Sequence, residues 1–322
     1  GTHQVTKAQG QIEFKDLSFS YPTGEQVLHN INLTIPTGKT VALVGRSGSG
    51  KSTLVSLIPR FYETTQGQIL LDGHALSEYT LANLREQIAT VSQKVMLFDN
   101  TIRHNIAYGD LANKTDAEVE AAAKAAYAHD FIMNLPQGYD TILGAQGLNL
   151  SGGQRQRIGI ARALALRPKF IVCDEPVSAL DVSIQAQIIT LLKNICKSRG
   201  AAVMLITHDM GVIAETCDRV AVLYAGRVVE IGPVHEVINH PAHPYTAGLM
   251  ASIPDMEQDR ERLNQIDGAM PRLNAIPQGC AYNPRCPQKF DRCMTDRPDL
   301  MSAGNTRAAC WLHAADNTKV AA

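Results

Sequence analysis

The period of hydrophobic positions changes several times along the chain. Alternation of apolar and polar residues predicts half-buried strands at 11–14, 17–21 and 27–35. Three further runs are apolar throughout, at 40–44, 170–173 and 203–206. Uninterrupted apolar runs of this length are typical of strands buried on both faces of a parallel sheet. The pattern therefore predicts two kinds of sheet in one chain.

Helical periodicity follows each kind of strand. Helices are predicted at about 51–60, 151–166 and 184–198, and most of 82–146 is helical. The alanine-rich stretch 116–129 has a clear helical period, and Pro136 ends that pattern. Strands that alternate with helices favour an α/β fold around a parallel sheet.

Composition narrows the class of protein. The chain has 322 residues, of which 45% are hydrophobic, and 30 Lys and Arg nearly balance 31 Asp and Glu. This balance argues against a nucleic-acid partner. No apolar run is long enough to span a bilayer, no signal peptide is visible, and a cytoplasmic location is expected. The first ten residues begin with Gly1 rather than Met, and we expect them to be disordered.

A glycine-rich loop follows the first buried run. Its residues match G-x-x-x-x-G-K-[ST] without departure. In such a loop backbone N–H groups point at phosphate oxygens, the lysine reaches the β- and γ-phosphates, and the serine hydroxyl binds Mg²⁺. The predicted nucleotide-binding residues here are Gly45, Arg46, Ser47, Gly48, Ser49, Gly50, Lys51, Ser52 and Thr53.

An acidic pair ends the second buried run. Asp174 can place a carboxylate beside Mg²⁺, and Glu175 can orient the water that attacks the γ-phosphorus. A solvated acidic pair at a strand end is the alternative.

A second glycine-rich helix start occupies 151–154, at Ser151, Gly152, Gly153 and Gln154. It is either another anion-binding helix start or a plain N-cap with a glycine turn. Two such starts suggest that one serves the nucleotide of a neighbouring subunit.

Together these motifs resemble the ATP-binding subunits of ABC transporters over about residues 11–310. By that resemblance Tyr21 stacks on adenine, and Gln93 links Mg²⁺ and water to a transmembrane partner. The segment 151–154 is similar to the family signature, which contacts ATP held by the other subunit. Asp181 resembles a residue of the loop that crosses the dimer interface, and His208 resembles the switch histidine on the γ-phosphate.

The resemblance divides near residues 162–168. The part before it looks like exporters of the bacterial lipid A flippase type, although 144–147 lacks the carboxylate usual there. The part from about 167 to 315 is similar to dipeptide and oligopeptide importer ATPases, including Pro176 and the segment 240–246. The chain is therefore interpreted as a composite, whether natural, engineered or from a divergent family. We expect it to fold with less stability than either parent type.

Four cysteines lie in the proline-rich tail: Cys280, Cys286, Cys293 and Cys310. Four thiolates suit an iron–sulfur cluster or zinc, and unliganded or disulfide-bonded cysteines are the alternative. The peptide-importer resemblance favours a [4Fe–4S] cluster. Cys173, Cys196 and Cys217 are expected to be reduced core residues.

The predicted fold is a P-loop α/β domain with an antiparallel β-subdomain and a helical subdomain at about 94–165. It occupies 11–235, after the segment 1–10 and before a cysteine-rich extension at 236–322. The predicted enzyme is an ATPase with ATP and Mg²⁺. Glu175, His208, Lys51 and Gln93 are its catalytic residues, and Ser52, Gln93 and Asp174 its Mg²⁺ ligands.

The favoured function is ATP hydrolysis that powers dipeptide or oligopeptide uptake. A lipid or drug exporter ATPase and a non-hydrolysing nucleotide-binding scaffold are the alternatives. A soluble ABC ATPase of DNA repair would need a long coiled-coil insert, for which the chain between Gln93 and Ser151 is too short. The expected partners are a second ATP-binding subunit, arranged head to tail, and transmembrane subunits that hold the chain at the inner face of the cell membrane.

Overall fold

The computed structural model describes residues 1–22, 24–144, 147, 149–178, 180–252, 266 and 268–315. The strands formed by these residues are β1 Ile12–Ser20, β2 Gln26–Ile35, β3 Thr40–Val44, β4 Gln66–Leu71, β5 His74–Ala75, β6 Ile88–Ser92, β7 Phe170–Asp174, β8 Ala202–Ile206, β9 Arg219–Tyr224, β10 Arg227–Pro233, β11 Met301–Ala303 and β12 Thr306–Ala308.

The α-helices of the same residues are α1 Lys51–Leu57, α2 Leu81–Gln87, α3 Ile102–Ile106, α4 Asp116–Ala125, α5 His129–Met133, α6 Gly152–Ala165, α7 Val182–Arg199, α8 Met210–Thr216, α9 Val234–Asn239, α10 Pro244–Ala251 and α11 Asp291–Thr295. None of these helices is long and apolar enough to cross a membrane.

The chain divides into two compact units. Unit 1 contains 1–12, 35–40 and 70–207, and unit 2 contains 13–34, 41–69 and 208–322.

Unit 1 is organised around three parallel strands. In register, Phe170 of β7 pairs with Ile88 of β6 on one side and with Ala202 of β8 on the other. All five residues of β8 and the first four of β7 are buried. The sheet is thus covered on both faces, as the uninterrupted apolar runs predict.

The helical part of unit 1 packs around α6. Helices α3 and α4 both contact it. A capping box formed by Thr115 and Glu118 starts α4, which then buries Val119, Ala122 and Ala123. The long helical stretch predicted at 116–129 is interrupted, and α5 begins after a break at Tyr127, whose φ is 51°.

Unit 2 holds most of the remaining strands. Strand β1 lies between β2 and β4. In a second sheet β3 pairs with β9 in parallel, and β9 pairs with β10 antiparallel. Strand β12 then adds to β10, with Glu230 opposite Ala308, and β11 follows β12. The C-terminal strands therefore extend a sheet that also contains β3, the strand preceding the glycine-rich loop.

Two features differ from those expected from sequence: a domain boundary and the state of the N-terminal segment. The predicted boundary near residue 235 does not separate two compact units, since the described residues on both sides of it, from 208 onward, belong to unit 2. The segment 1–10 was expected to be disordered, yet it has defined partners in unit 1. Val5 exchanges two hydrogen bonds of 2.8 Å with the Asn83 side chain, and the Ala8 N–H donates to Gln87 Oε1 at 2.9 Å. Satisfied backbone groups account for the order.

The join between the two resemblances lies inside unit 1. Across it, Arg199 Nη1 donates to Leu164 O at 3.2 Å, and the Lys169 N–H donates to Gln87 O at 2.9 Å. Helix α6 and strand β6, which precede the join, thus pack against β7 and α7, which follow it, within unit 1. Lower stability than either parent type stays a prediction.

Candidate nucleotide-binding site

The glycine-rich loop of unit 2 depends on two glycines for its path. A Cβ at Gly45 would lie 2.4 Å from the carbonyl oxygen of Leu223 and 2.7 Å from Ser49 Oγ. Gly50 forms the N-cap of α1 with a φ of 105°, a conformation that L-residues rarely adopt. The loop can therefore curl tightly between β3 and α1 only with glycine at these positions.

The Lys51 side chain turns back into this loop. Its Nζ donates to Gly45 O at 2.5 Å, to Arg46 O at 3.1 Å and to Ser49 Oγ at 3.3 Å. Only 7% of the residue is exposed. The loop therefore has a lysine ammonium at its centre, and the Ser52 side chain is exposed beside it. A fixed positive charge within a tight backbone curl is a suitable arrangement for phosphate groups.

Tyr21 lies against the start of α1. Its hydroxyl and Thr53 Oγ1 are 3.0 Å apart and share a hydrogen bond. Its ring packs edge-on against Phe19 and Tyr62, with centroid distances of 4.9 and 5.2 Å. The aromatic residue predicted to stack on adenine is therefore held beside the phosphate loop, within unit 2.

The C-terminal extension reaches the same loop. The Arg46 N–H donates to the Tyr245 hydroxyl at 3.2 Å, across 199 positions of the chain. A Cβ at Gly48 would lie 3.3 Å from Met270 Cε. From the sequence, the segment 240–246 only resembles peptide-importer ATPases, and Tyr245 is not predicted to have a role at the site. No motif spacing links residues this far apart, so the contact is visible only in three dimensions.

The acidic pair is placed in unit 1, at the end of the central parallel strand. Asp174 is the last residue of β7 and pairs in register with Ser92, the residue before Gln93. The Glu175 N–H donates to Ile206 O at 2.9 Å, and its φ is 49°. A non-glycine residue in the left-handed region marks a constrained position of the kind found at functional sites. Carboxylate and amide oxygens at one edge of the sheet are donors that suit Mg²⁺.

Ser151 caps α6 in unit 1. Its Oγ accepts from the Gln154 N–H at 3.2 Å, and Gln154 Oε1 accepts from the Ser151 N–H at 3.0 Å. This is a capping box, so Ser151 serves as the N-cap of α6. A Cβ at Gly153 would lie 2.8 Å from Ile184 Cγ2, which shows how closely α6 approaches α7. Ser151 itself remains exposed.

Two predicted residues lie at helix starts. Asp181 is the exposed N-cap of α7 in unit 1, and its carbonyl accepts from the Gln185 N–H at 2.9 Å. Exposed His208 lies in unit 2, next to Asp209, the N-cap of α8. Of the other predicted positions, Ala145 and Gln146 of the carboxylate-lacking segment and Ala179 fall outside the described residues.

The predicted residues are thus divided between the two units. Unit 2 contains Tyr21, the phosphate loop and His208, and unit 1 contains Gln93, 151–154, Asp174, Glu175 and Asp181.

The cysteines of the tail do not support the predicted metal site. Although all four are described, no three His, Cys, Asp or Glu side chains in the described part of the chain are arranged to hold a metal ion. Burial raises the pKa of Cys280 and Cys286 and that of Cys310 to about 11. Cys173, Cys196 and Cys217 are buried, as expected.

Comparison with known proteins identifies the class to which this geometry belongs. Residues 28–178 match the family described as ABC transporter. The chain contains an ABC transporter ATP-binding domain. Residues 229–293 match a second family, described as the C-terminal region of oligopeptide/dipeptide transporters. The ABC fold, the ATPase class and the composite resemblance are thereby confirmed, and the family implies ATP and Mg²⁺.

Relatives of the ABC domain include ATP-dependent lipid A-core flippases. The flippase of Alkalilimnicola ehrlichii is 49% identical over 244 residues, which are 76% of this chain and 41% of the relative. That of Escherichia coli K12 is 48% identical over 242 residues, 74% of this chain and 41% of the relative. The chain thus spans about two fifths of the length of these relatives.

A solved structure with the same fold is a bacterial Atm1-family ABC exporter with ATP bound. It is 36% identical, with a TM-score of 0.68, and the match covers 78% of this chain and 44% of that one.

These comparisons correct the predicted function. Dipeptide or oligopeptide uptake was favoured on the strength of the tail, and that prediction is wrong. Flippases about 48% identical over three quarters of the chain, together with an exporter as structural neighbour, favour the exporter alternative. The likeness of the tail to peptide transporters is real, but it covers only 229–293.

Proposed function

We propose that this chain is the ATP-hydrolysing domain of an exporter-type ABC transporter that moves a lipid-like substrate. The observation that carries the proposal is the phosphate loop, in which the Lys51 ammonium lies among Gly45 O, Arg46 O and Ser49 Oγ. It is supported by a lipid A-core flippase that is 49% identical over 244 residues, 76% of this chain. The substrate class rests on those relatives. The partners, a second ATP-binding domain arranged head to tail and a transmembrane domain, rest on the same likeness.

The role proposed for each residue follows from its chemistry. Lys51 and His208 contact the γ-phosphate, and the Tyr21 ring stacks on adenine. Ser52, Gln93 and Asp174 are the proposed ligands of Mg²⁺, which when bound would offset the negative charge of the phosphate groups. Glu175 accepts a hydrogen bond from the attacking water and orients it. The constrained backbone at Glu175, with a φ of 49°, supports this positioning role.

Ser151, Gly152, Gly153 and Gln154 are proposed to contact nucleotide held by the second ATP-binding domain, and Asp181 to lie at the interface of that dimer. Ser151 is exposed, and its N–H and Oγ are turned toward the first turn of α6. A capping serine at an exposed helix start can contact a neighbouring phosphate while it keeps its local bond.

Hydrolysis is tested with Glu175→Gln. We expect Mg-ATP to bind with a Kd within about threefold of the wild type, and phosphate release to fall by about 10² or more, the range of general-base effects. Glu215→Gln, at an exposed position of α8, is the matched control and should retain turnover. A wild-type chain that binds ATP and never releases phosphate would instead be a nucleotide-binding scaffold.

The exporter assignment is tested by transplantation. This chain replaces the ATP-binding region of the Escherichia coli lipid A-core flippase, and growth is measured in cells that depend on the fusion. We expect growth with the wild-type sequence and none with Glu175→Gln. Membrane level and ATP turnover of the fusion are measured in parallel. A fusion that is present and hydrolyses ATP but supports no growth would contradict the proposed substrate class.

A further inference from the structure

A cavity lies beside β10 in unit 2. Its volume is about 170 Å³, and none of the residues 45–52 lines it. Three arginines line the cavity: Arg227 on β10, Arg297, and Arg307 on β12. Asn30 and Asn32 of β2 contribute amide groups to the wall. The volume is below the range of sites for drug-sized ligands, so any occupant is small.

The charges on the wall are unbalanced. Asp299 is the one carboxylate among the lining residues, against three guanidinium groups. Burial lowers the pKa of His243 to about 3 and raises the pKa of Cys280, so both side chains are neutral at pH 7. Three positive charges and one negative charge leave an excess of two positive charges.

Two of the arginines are fixed by backbone carbonyls. Arg297 Nε and Nη2 donate to Gly279 O at 2.8 Å and to Pro277 O at 2.9 Å. Arg307 Nη2 donates to Leu300 O at 3.2 Å. Each keeps further N–H groups that these bonds do not use, because a guanidinium carries five donors.

Arg227 is different. Its Nε is buried and has no hydrogen-bond partner, and no described residue forms an ion pair with its guanidinium. A buried N–H group without an acceptor is costly, because the lost hydration is not replaced. The arrangement is consistent with a site whose acceptor comes from outside the chain.

The pKa of a neighbouring histidine responds to the same arginine charges. His29 has a pKa lowered to about 4, first by burial and then by the charges of Arg227 and Arg297. The positive field therefore extends from the cavity wall to β2.

We propose that this cavity binds a small oxyanion with two negative charges, held by Arg227 together with Arg297 and Arg307. Planar guanidinium groups suit phosphate and carboxylate oxygens, which accept two parallel hydrogen bonds from one arginine. The anion supplies the acceptor that Arg227 Nε lacks and offsets the excess charge. This site is separate from nucleotide binding and does not depend on the proposed transport function.

The test uses the whole chain and two probes, inorganic phosphate and succinate, at constant ionic strength set with chloride. Calorimetric titration gives the Kd, and Lys51→Ala separates this site from anion binding at the phosphate loop. We expect at least one probe to bind Lys51→Ala with the wild-type affinity. Whether phosphate or succinate binds tighter distinguishes a tetrahedral from a dicarboxylate ligand.

Two variants of the wall then change the affinity in opposite directions. Arg227→Gln should weaken binding at least tenfold, and Asp299→Asn should tighten it severalfold. The gain in Asp299→Asn cannot come from misfolding, and Mg-ATP affinity should stay unchanged in both variants. The proposal is wrong if neither probe binds Lys51→Ala, or if Arg227→Gln binds the probe within twofold of the wild type.

Discussion

The Tyr245 hydroxyl accepts a hydrogen bond of 3.2 Å from the Arg46 N–H, and this bond ties the C-terminal extension to the phosphate loop. Tyr245 is fully buried, and its ring lies 4.6 Å from that of Tyr224 and 5.5 Å from that of Tyr282. A rigid aromatic cluster thus fixes the position of the hydroxyl. The extension, which matches a different family from the ABC domain, therefore helps to shape the loop on which ATP binding depends.

Removing this hydroxyl should loosen the loop. We expect Tyr245→Phe to lower the free energy of unfolding by about 1 kcal/mol, the usual contribution of one hydrogen bond, and to raise the Kd for Mg-ATP by up to about fivefold. Urea denaturation and a fluorescent-nucleotide titration measure the two effects.

Tyr282→Phe is the control for this change. It removes a hydroxyl from the same aromatic cluster, but within the described part of the chain the Tyr282 hydroxyl makes no hydrogen bond. Both quantities should stay near wild type. Equal effects of the two variants would show that cluster packing, and not the bond to Arg46, sets the nucleotide affinity.

A second prediction concerns the first glycine of the loop. A Cβ at Gly45 would clash with the Leu223 carbonyl, a backbone atom that cannot rotate away. We expect Gly45→Ala to cost about 1–3 kcal/mol of stability, as overpacking does, and to weaken Mg-ATP binding about tenfold or more. Gly24→Ala is the control, since Gly24 also has a positive φ but nothing within 4 Å of its Cβ position. It should lose about 1 kcal/mol of stability and no affinity. Comparable losses of affinity would contradict a specific role for Gly45.

Local rules predicted most of the fold. Hydrophobic periodicity located the buried strands β3, β7 and β8. The spacing of glycine, lysine and serine at 45–52 predicted a phosphate-binding loop. Contacts between segments that are distant along the chain could not be predicted from the sequence. The pairing of β12 with β10 and the bond from Arg46 to Tyr245 follow from packing, which periodicity does not encode.

The expectations for the tail and for the N-terminal segment also depended on distant contacts. Four cysteines in a short segment suggested a metal site, but among the described residues no three His, Cys, Asp or Glu side chains are arranged to hold a metal ion. The order of 1–10 depends on Asn83 and Gln87, which no local pattern in the segment reveals.

Acid should weaken the fold through His243. This residue is buried, its Nδ1 accepts from the Tyr245 N–H at 3.0 Å, and its pKa is lowered from 6.5 to about 3, mainly by burial. The unfolded chain therefore binds a proton before the folded chain does as the pH falls. The stability that neutral His243 contributes is complete above pH 6.5 and is lost progressively between 6.5 and 3, by about 2 kcal/mol at pH 5.

Urea denaturation between pH 7.5 and 5 measures this loss. His243→Asn offers a matched comparison, because an amide oxygen can still cap α10 but does not titrate. The variant should start less stable and show a correspondingly flatter dependence on pH. An unchanged slope would assign the acid sensitivity to other groups.

The last prediction separates the two roles of Ser151. Two helices of unit 1 begin with a capping box, α6 at Ser151 and α4 at Thr115. Ser151→Ala and Thr115→Ala should each cost about 1 kcal/mol of stability, the usual loss for an N-cap. Only Ser151 is proposed to contact nucleotide of a second domain, and a hydrogen bond to a charged group contributes about 1.5–3 kcal/mol. ATP turnover, measured across a range of protein concentrations, should therefore fall at least about tenfold in Ser151→Ala and stay near wild type in Thr115→Ala. Equal turnover in the two variants would reduce Ser151 to a helix cap and remove the support it gives to a head-to-tail dimer.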